Sequence, residues 1–197
     1  DGFSERARRI DLAARQVTTL AVITGVETIP AGVVAAEAGR PAAIIGEGDH
    51  SVRFIDNGVA RLLAGAGFTD GEGFADGPGA VARFDDPSAI VRDASGSLWI
   101  ADSSNHRIRN VASDGTTSTF AGQSEPGLVD GLLALARFDR PVGLAFGANG
   151  ELFVLEAGNR AIRRIAKDAQ GNDVVSTVVQ GLGSDPRGLA IDGAGSL

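Results

Sequence analysis

The chain has 197 residues, enough for one domain with a hydrophobic core, and 43% of them are hydrophobic and 22% charged, as in a folded protein. Its formal net charge of −7 argues against nucleic acid as a partner, because phosphate binding needs a basic surface. The sequence has no cysteine, which excludes disulfides and thiolate catalysis, and it has no apolar run of about 18 residues that would span a membrane.

A repeated pattern runs along the chain in five copies of unequal clarity. Asp1 to Ile10 matches the end of the pattern, and Pro30 to Ile55 is a degenerate copy. Two clear copies follow, Pro87 to Val111 and Pro141 to Ile165, which align without a gap at an offset of 54 residues. Pro186 to Leu197 matches the beginning of the pattern again. A repeat of this length is typical of solenoids and propellers.

The clearest copy predicts four short strands separated by turns and one polar loop, at 89–92, 98–102, 108–112 and 116–121. In the second strand, Leu98 and Ile100 lie on one face and Trp99 and Ala101 on the other. A sheet that is apolar on both faces must be covered on both faces. Because no helical pattern is available to cover it, the neighbours must be further copies of the same sheet. Four-stranded sheets stacked in this way describe a β-propeller.

One column of the first strand contains small residues in every copy: Gly32, Ala89, Gly143 and Gly188. The innermost strands of a propeller crowd around its axis, where small residues fit best. The column therefore predicts that the first strand of each copy is the innermost one.

The motif Gly-x-Leu-aromatic followed by Asp-x-x-Asn-His-x-Ile-Arg resembles the NHL repeat, with Asn105-His106 at its signature and Arg107 where the repeat has leucine. The Thr-Phe-Ala-Gly and Ala-Arg-Phe blocks resemble the bacterial form of the repeat. The resemblance extends over essentially the whole chain. It implies an all-β fold, a β-propeller of four-stranded antiparallel blades, with about four blades present.

Families of this kind build closed propellers of about six blades, so we expect an incomplete ring rather than a closed four-bladed one. The absence of methionine agrees with a fragment of a larger propeller. We interpret residues 1–197 as one NHL-type region, with residues 1–25 as the end of a preceding blade. The repeats are expected to begin near Pro30, Pro87, Pro141 and Pro186.

Polar residues that recur in every copy are most simply explained as structural. Arginine occupies one column at 8, 53, 109 and 163, and an acid occupies another at 1, 102 and 156, which predicts a repeated ion pair between blades. Asn105 and Asn159 are expected to hold loop backbone groups. His50 and His106 share a column that has Arg160 in the next copy, so a structural role is preferred over a metal site or a catalytic base.

The long loops, 64–87, 102–107, 121–141 and 156–161, are predicted to lie on one face, because successive strands of a meander run in opposite directions. This face is acidic, and long loops on a rigid frame are where binding usually occurs. The candidate binding residues are Asp70, Glu72, Asp76, Asn105, His106, Arg107, Asp130 and Arg160.

The sequence predicts a non-catalytic scaffold that binds a protein or small ligand through this face. The alternative is a metal-dependent, lactonase-like propeller hydrolase whose site lies partly outside the chain. No cofactor is assigned beyond a weakly held divalent cation. We expect no membrane span, and we expect self-association through exposed strand edges. The resemblance to bacterial NHL proteins implies a location outside the cytoplasm.

Overall fold

A computed structural model describes residues 5–11, 16–23, 30–37, 39–46, 48–56, 59–67, 71–192 and 197, with side chains from residue 31 onward. The regular elements in these ranges are all β-strands, and none of the described segments is a long apolar helix suited to crossing a membrane. The strands are β1 (Glu5–Asp11), β2 (Gln16–Ile23), β3 (Pro30–Val34), β4 (Ala42–Gly46), β5 (Ser51–Asp56), β6 (Val59–Gly65), β7 (Pro87–Arg92), β8 (Leu98–Asp102), β9 (Arg107–Val111), β10 (Thr117–Gly122), β11 (Gly131–Leu132), β12 (Pro141–Phe146), β13 (Leu152–Glu156), β14 (Ala161–Lys167) and β15 (Asp173–Gln180).

Three antiparallel four-stranded meanders form the described part of the molecule. We call β3–β6 the first blade, β7–β10 the second and β12–β15 the third; β1 and β2 form a separate two-stranded sheet. Each blade begins at a proline, Pro30, Pro87 or Pro141, and each has a register shift immediately after it. The predicted all-β fold with four-stranded antiparallel blades is confirmed, and the described blades form an open arc rather than a closed ring.

Two hydrophobic cores lie between adjacent blades. In the second blade, Leu98 and Ile100 pack towards the first blade, together with Phe84 from the connection that precedes β7. On the opposite face, Ala101 and the partly buried Trp99 pack towards the third blade. Each fully buried large aliphatic side chain stabilises the fold by about 1.5–3 kcal/mol. Burial of both faces, expected from the sequence of β8, is therefore what holds the blades together.

The innermost strands of the blades are in contact with one another. Strand β7 contacts β3 on one side and β12 on the other. A Cβ atom at Gly32 would lie 3.0 Å from Cγ2 of Ile90, and one at Gly143 would lie 3.1 Å from the Cβ atoms of Leu155 and Leu189. This close packing, which also involves Leu155 of the same blade, explains the small residues at Gly32 and Gly143. At Gly188, in contrast, no atom lies within 4 Å of a built Cβ.

The connections between blades add a further pairing that the sequence did not indicate. Before the second blade, Gly77 exchanges two backbone hydrogen bonds with Thr117 of β10, at 2.9 and 2.8 Å. Before the third blade, β11 pairs with Val174 and Val175 of β15. Each connection therefore returns along the outer edge of the blade that follows it, which brings its acidic residues next to that blade.

Candidate functional site

A buried arginine fastens the connection to the second blade. The side chain of Arg109 is fully buried, and its Nη1 lies 2.5 Å from Oδ2 of Asp102 in the same blade. Its Nη2 lies 2.7 Å from Oδ1 of Asp76 in the connection. The guanidinium also donates to the carbonyls of Arg83 (3.0 Å) and Ala75 (2.8 Å). We call this arrangement the arginine clamp. It joins two segments that are far apart in the sequence.

The partners of Arg109 are themselves fixed. Asp102 accepts the backbone N–H of Asp85 at 2.8 Å and the side-chain amide of Asn105 at 3.0 Å. The same amide donates to the carbonyl of Gly73 at 2.7 Å. Asp76 accepts the backbone N–H of Thr119 at 3.1 Å. Every acidic and amide group in the clamp therefore has partners inside the protein.

The third blade repeats the clamp. Arg163 is fully buried, with Nη1 3.1 Å from Oε2 of Glu156 and Nη2 2.6 Å from Oδ1 of Asp130. Asn159 donates to Glu156 at 2.9 Å, and Thr177 donates its backbone N–H to Asp130 at 3.0 Å. The recurrent arginine and the recurrent acid therefore form an ion pair, but it lies within one blade and not between blades as predicted, because the two residues are on adjacent strands of the same sheet. The connection adds a second carboxylate to each arginine.

The first blade also has an ion pair with its recurrent arginine, but the acid stands at a different position of the repeat. Its arginine, Arg53, donates Nε and Nη2 to Oδ2 of Asp49 at 3.0 and 2.8 Å. Asp49 stands in the column of Asn105, whereas Gly46 stands in the column of Asp102. In this blade the acid therefore lies three residues later in the repeat than in the second blade, and it still pairs with the equivalent arginine.

The pKa values of the clamp acids are shifted in opposite directions by burial and by hydrogen bonds. Burial raises the pKa of Asp102 to about 6, although the N–H of Asp85, the charge of Arg109 and the amide of Asn105 all oppose the rise. Burial likewise raises the pKa of Glu156. For Asp130 burial acts upward too, but the hydrogen bonds from Thr177 and the contact with Arg163 outweigh it and lower the pKa.

The histidine column lies at the junctions between blades. Nδ1 of His50 accepts the backbone N–H of Asp86 at 3.1 Å, and Nδ1 of His106 accepts that of Arg140 at 3.2 Å. Both Asp86 and Arg140 immediately precede the proline that begins the next blade. An accepting Nδ1 assigns the proton of the neutral imidazole to Nε2. Each histidine therefore holds the entry of the following blade.

The backbone at these junctions is unusual and repeats as well. The histidine column has positive φ angles, 47° at His50, 55° at His106 and 50° at Arg160. The residues before Pro87, Pro141 and Pro186 are also left-handed, namely Asp86 (48°), Arg140 (49°) and Asp185 (61°). Positive φ is uncommon outside glycine. Its recurrence in successive copies indicates a shared junction geometry.

A cavity of about 450 Å³ opens on the long-loop face beside the innermost strands. It is built from equivalent positions of successive repeats, so it lies at the axis of the arc. Its polar lining residues are Asp86, Ser88, Ser103, Ser104, Arg140, Asp185 and Arg187. We call this the axial cavity.

The axial cavity presents charges of both signs. Ser104 donates to Oδ2 of Asp86 at 3.1 Å, and Arg187 pairs with Asp185 at 2.5 Å. The side chain of Arg140 is 62% exposed and that of Arg187 is 82% exposed. Their guanidinium groups are therefore accessible to a ligand.

Near the cavity, one imidazole and two carboxylates lie close together. Ligand atoms of His50, Asp85 and Asp86 all fall within 4.8 Å of one another. Burial raises the pKa of Asp85, and the neighbouring charges of Asp86 and Glu72 raise it further, while His50 lowers it. The residue types suit a divalent cation. However, Nδ1 of His50 already accepts the N–H of Asp86.

The candidate binding residues predicted from the sequence do not form one site in the structure. Asp76 and Asn105 belong to the clamp of the second blade, and Asp130 belongs to that of the third. His106 and Arg160 occupy the junction column, and Asp70 lies outside the described residues.

Arg107 and Glu72 have different surroundings from the other candidates. Arg107 donates to the carbonyl of Asn105 at 2.8 Å, and its guanidinium lies 4.1 Å from the ring centre of Phe74. Glu72 is exposed and makes a backbone bridge with Phe84. A ligand-binding role for these residues stays a prediction.

Sequence reasoning missed the residues of the axial cavity. The position before the repeated proline is acidic in one copy, at Asp86, and basic in the next, at Arg140. Because its charge does not recur, the repeat alignment did not indicate a site there. The available signal was their position immediately before the repeated proline. In a propeller this position lies beside the axis.

Comparison with known proteins identifies the repeat. A family model described as the NHL repeat matches residues 84–109. The chain is 33% identical over 146 residues to Protein SUPPRESSOR OF QUENCHING 1, chloroplastic, of Arabidopsis thaliana, covering 69% of this chain and 14% of that protein. It is 36% identical over 93 residues to NHL repeat-containing protein 2 of Bos taurus, covering 47% of this chain and 12% of that protein. The chain thus spans a small part of the length of both relatives.

A solved structure supports the same architecture. An auxiliary nutrient binding protein from Bacteroides thetaiotaomicron superposes with a TM-score of 0.69 and 23% identity, covering 84% of this chain and 43% of that one. The segment matched by the family model contains Asp102, Asn105 and Arg109, which form the clamp of the second blade. With its blades, its repeated clamp and these relatives, the chain belongs to the NHL-repeat β-propeller family.

Proposed function

We propose that this chain is a non-catalytic binding scaffold and that a protein or small-molecule ligand binds on its long-loop face, at the axial cavity. The observation that carries the proposal is the lining of that cavity, where accessible arginines and carboxylates from successive repeats converge. A cavity of about 450 Å³ lies in the range of small-ligand sites.

The engagement of the recurrent polar residues supports a scaffold. In the second blade, Asp102, Asn105 and Arg109 satisfy one another and the backbone of the connection. Groups committed in this way hold the blade together and are not available to transfer protons to a substrate. The groups of the axial cavity are more accessible. The structural relative described as a nutrient binding protein is consistent with a small ligand.

A second candidate is a metal-dependent hydrolase, which one observation favours. The group of His50, Asp85 and Asp86 offers an imidazole nitrogen and carboxylate oxygens within 4.8 Å of one another. A divalent ion held there would activate a water molecule or polarise a carbonyl. The hydrogen bond from the Asp86 N–H to His50 favours the structural role of the histidine instead.

A thermal-shift screen tests the proposal with defined probes: amino acids, dicarboxylates, monosaccharides and nucleotides. A ligand that binds only the folded chain raises the unfolding midpoint, by an amount that grows with the logarithm of its concentration relative to its Kd. We expect at least one probe class to raise it, and we expect Arg140→Gln to abolish the rise. Arg61→Gln is the matched control, because Arg61 is an exposed arginine outside the cavity, paired with Asp56 at 3.4 Å.

Two results would contradict the scaffold. An unchanged ligand response in Arg140→Gln would remove the axial cavity from the proposal. Metal-dependent hydrolysis of a lactone or ester that is lost in Asp86→Asn would establish the hydrolase instead. A location outside the cytoplasm stays a prediction.

A further inference from the structure

Two equivalent grooves lie between the blades at the tight-turn ends of the strands, on the face opposite the axial cavity. Arginines bridge the groove between the first and second blades. Arg92 donates to the carbonyls of Ala35 (2.9 Å) and Pro41 (2.5 Å) in the first blade. Arg40 of the first blade donates to the carbonyl of Ala94 in the second at 3.0 Å. This groove is therefore crossed by hydrogen bonds.

The groove between the second and third blades has a different floor. In the repeat alignment Phe146 replaces Arg92, and Trp99 replaces Ala43. Together with Phe120, these two rings form the base of a cavity of about 510 Å³. The repeat thus places aromatic rings where the preceding copy has an arginine bridge. We call this the aromatic groove.

The aromatic rings are held in fixed positions. The indole Nε1 of Trp99 donates to Oδ2 of Asp93 at 3.0 Å, and Asp93 is fixed by the N–H groups of its own turn. The ring of Phe120 lies 4.5 Å from that of Trp99, and the ring of Phe146 lies 5.9 Å from it, both nearly perpendicular. All three rings are half-buried, so part of each faces the groove. Rigid aromatic surfaces bind a ligand with little loss of side-chain entropy.

Charged side chains of both signs line the rim. Arg164 lies 4.0 Å from Glu151, and Lys167 lies 2.7 Å from Asp173. The amide of Asn149 adds a neutral donor and acceptor. Two cations and two anions leave the rim without net charge, while providing many hydrogen-bonding atoms.

The groove also continues beyond the rings. A second cavity, of about 520 Å³, is lined by Trp99 and Phe146 together with Asp93 and Ser95. Trp99, Phe146 and Gly150 therefore border both cavities, and the surface is extended rather than a single closed pocket. An elongated ligand fits this shape better than a single compact one.

We infer that the aromatic groove binds a short neutral oligosaccharide. The C–H faces of sugar rings pack on aromatic side chains, and their hydroxyls accept from guanidinium and ammonium groups and donate to carboxylates. A charged ligand would meet no net opposite charge at the rim. An apolar peptide would bury Glu151, Arg164, Lys167 and Asp173 without supplying hydrogen bonds to them, which is costly. This site is independent of the axial cavity and of the proposed function.

The fluorescence of Trp99 provides the test, because the chain contains one tryptophan and no tyrosine. The 197-residue protein is titrated with maltotriose, cellotriose and xylotriose, and with trigalacturonate as the charged comparison. We expect a saturable change in emission with at least one neutral trisaccharide and a weaker response to trigalacturonate. Phe146→Leu and Lys167→Ala are each expected to weaken binding by about tenfold, since each removes one contact worth about 1.4 kcal/mol.

The matched control is Ser113→Ala, since Ser113 occupies the position of Lys167 in the arginine-bridged groove. It is expected to bind the sugar like the wild type. Circular dichroism and the unfolding midpoint establish that each variant is folded, and Lys167→Ala changes only an exposed side chain. The inference is overturned if no neutral trisaccharide gives a saturable response, if both groove variants bind like the wild type, or if trigalacturonate binds more tightly than the neutral sugars.

Discussion

At the scale of single residues, the clamp explains why arginine recurs in this repeat. Arg109 satisfies two carboxylates and two backbone carbonyls at once, which requires the planar, multiple-donor guanidinium rather than the single ammonium of lysine. Arg163 has an equivalent set of partners. In both residues Nε is the nitrogen that has no hydrogen-bond partner among the described atoms. Because the same Nε lacks a partner in both copies, we infer that the clamp serves to hold the connection in place rather than to satisfy every donor of the guanidinium.

Arg109→Leu is expected to destabilise the fold by about 3–5 kcal/mol, because it leaves the buried carboxylate of Asp102 without its counter-ion. Chemical denaturation followed by circular dichroism measures the loss. Arg61→Leu is the control and should cost less than about 1 kcal/mol, since that ion pair is exposed. Equal effects of the two substitutions would contradict the clamp.

Asp102 gives the clamp a dependence on pH. Burial raises its pKa from the ordinary value of 3.8 to about 6, so between these values the folded protein retains a proton that the unfolded chain has released. The free energy of unfolding therefore falls as the pH rises through this interval, by up to about 3 kcal/mol from this group. Glu156, whose pKa burial also raises, contributes in the same direction.

Asp102→Asn should remove the contribution of Asp102 to this slope. Denaturation of the wild type and the variant at pH 4, 5, 6 and 7 tests the expectation. The stability of the wild type should decrease relative to that of Asp102→Asn as the pH rises from 4 to 6, and the difference should become constant above that. A relative increase over the same interval would show that the carboxylate titrates below its ordinary value.

At the scale of strands and connections, the sequence predicted what local patterns determine. Strand β8 was predicted at its observed bounds, because its alternation is regular and turns flank it on both sides. Crowding around the small residues of the first strand was also predicted correctly at Gly32 and Gly143, since it follows from the fold. Gly188, however, lies outside the strands and has no atom within 4 Å of a built Cβ. Strand β11 was not predicted, because it has two residues and forms only where the edge of β15 is available to pair with it.

Dependence on distant pairing partners also explains which parts of the candidate site the sequence did not predict. Asp76 and Asp130 were interpreted as surface acids because their loops contain few basic residues. The structure pairs them with Arg109 and Arg163, which lie 33 residues further along the chain. Such pairings depend on the path of the connection over the next blade, and no local pattern encodes that path.

The connection before the second blade passes very close to the first. A Cβ atom at Gly79 would lie 2.1 Å from the carbonyl oxygen of Leu63 in β6. Gly79→Ala should therefore displace the connection from β6 and destabilise the fold by about 1–3 kcal/mol or more. Thermal unfolding measures the effect. Gly183→Ala is the control, because no atom lies within 4 Å of its built Cβ and the change should be neutral or slightly stabilising. The contact with Leu63 would be disproved if Gly79→Ala behaved like the control.

At the scale of the whole molecule, the fold separates stability from binding. The cores lie between the blades, and the clamps join each connection to its own blade, so both depend on buried side chains whose loss is costly. The axial cavity and the aromatic groove lie at opposite ends of the strands, where side chains can differ from copy to copy. The second and third blades share their clamp, yet the two inter-blade grooves have different linings. Repetition thus sets the frame, and the departures from repetition mark the surfaces proposed to bind ligands.

The outer edge of the third blade is only partly paired with other strands. Strand β15 extends to Gln180, but β11 pairs only with its Val174 and Val175, and Asp130 holds the N–H of Thr177, so among the described residues the edge beyond Thr177 has no ladder partner. Val178 in this part of the edge is 46% exposed. Open strand edges with apolar side chains pair with other chains. We therefore expect the 197-residue protein to self-associate as its concentration rises.

Sedimentation velocity over a range of protein concentrations measures this association. Val178→Lys should shift the equilibrium towards the monomer, because a charged side chain on an open edge opposes the approach of a second strand. Leu135→Lys is the matched control. Leu135 is 62% exposed but lies in the connection and not in a strand, so its replacement should leave the association unchanged. If both substitutions reduce association equally, general surface hydrophobicity drives it and not the edge. If the wild type stays monomeric at every concentration, the end of β15 does not act as an open edge and the expectation is wrong.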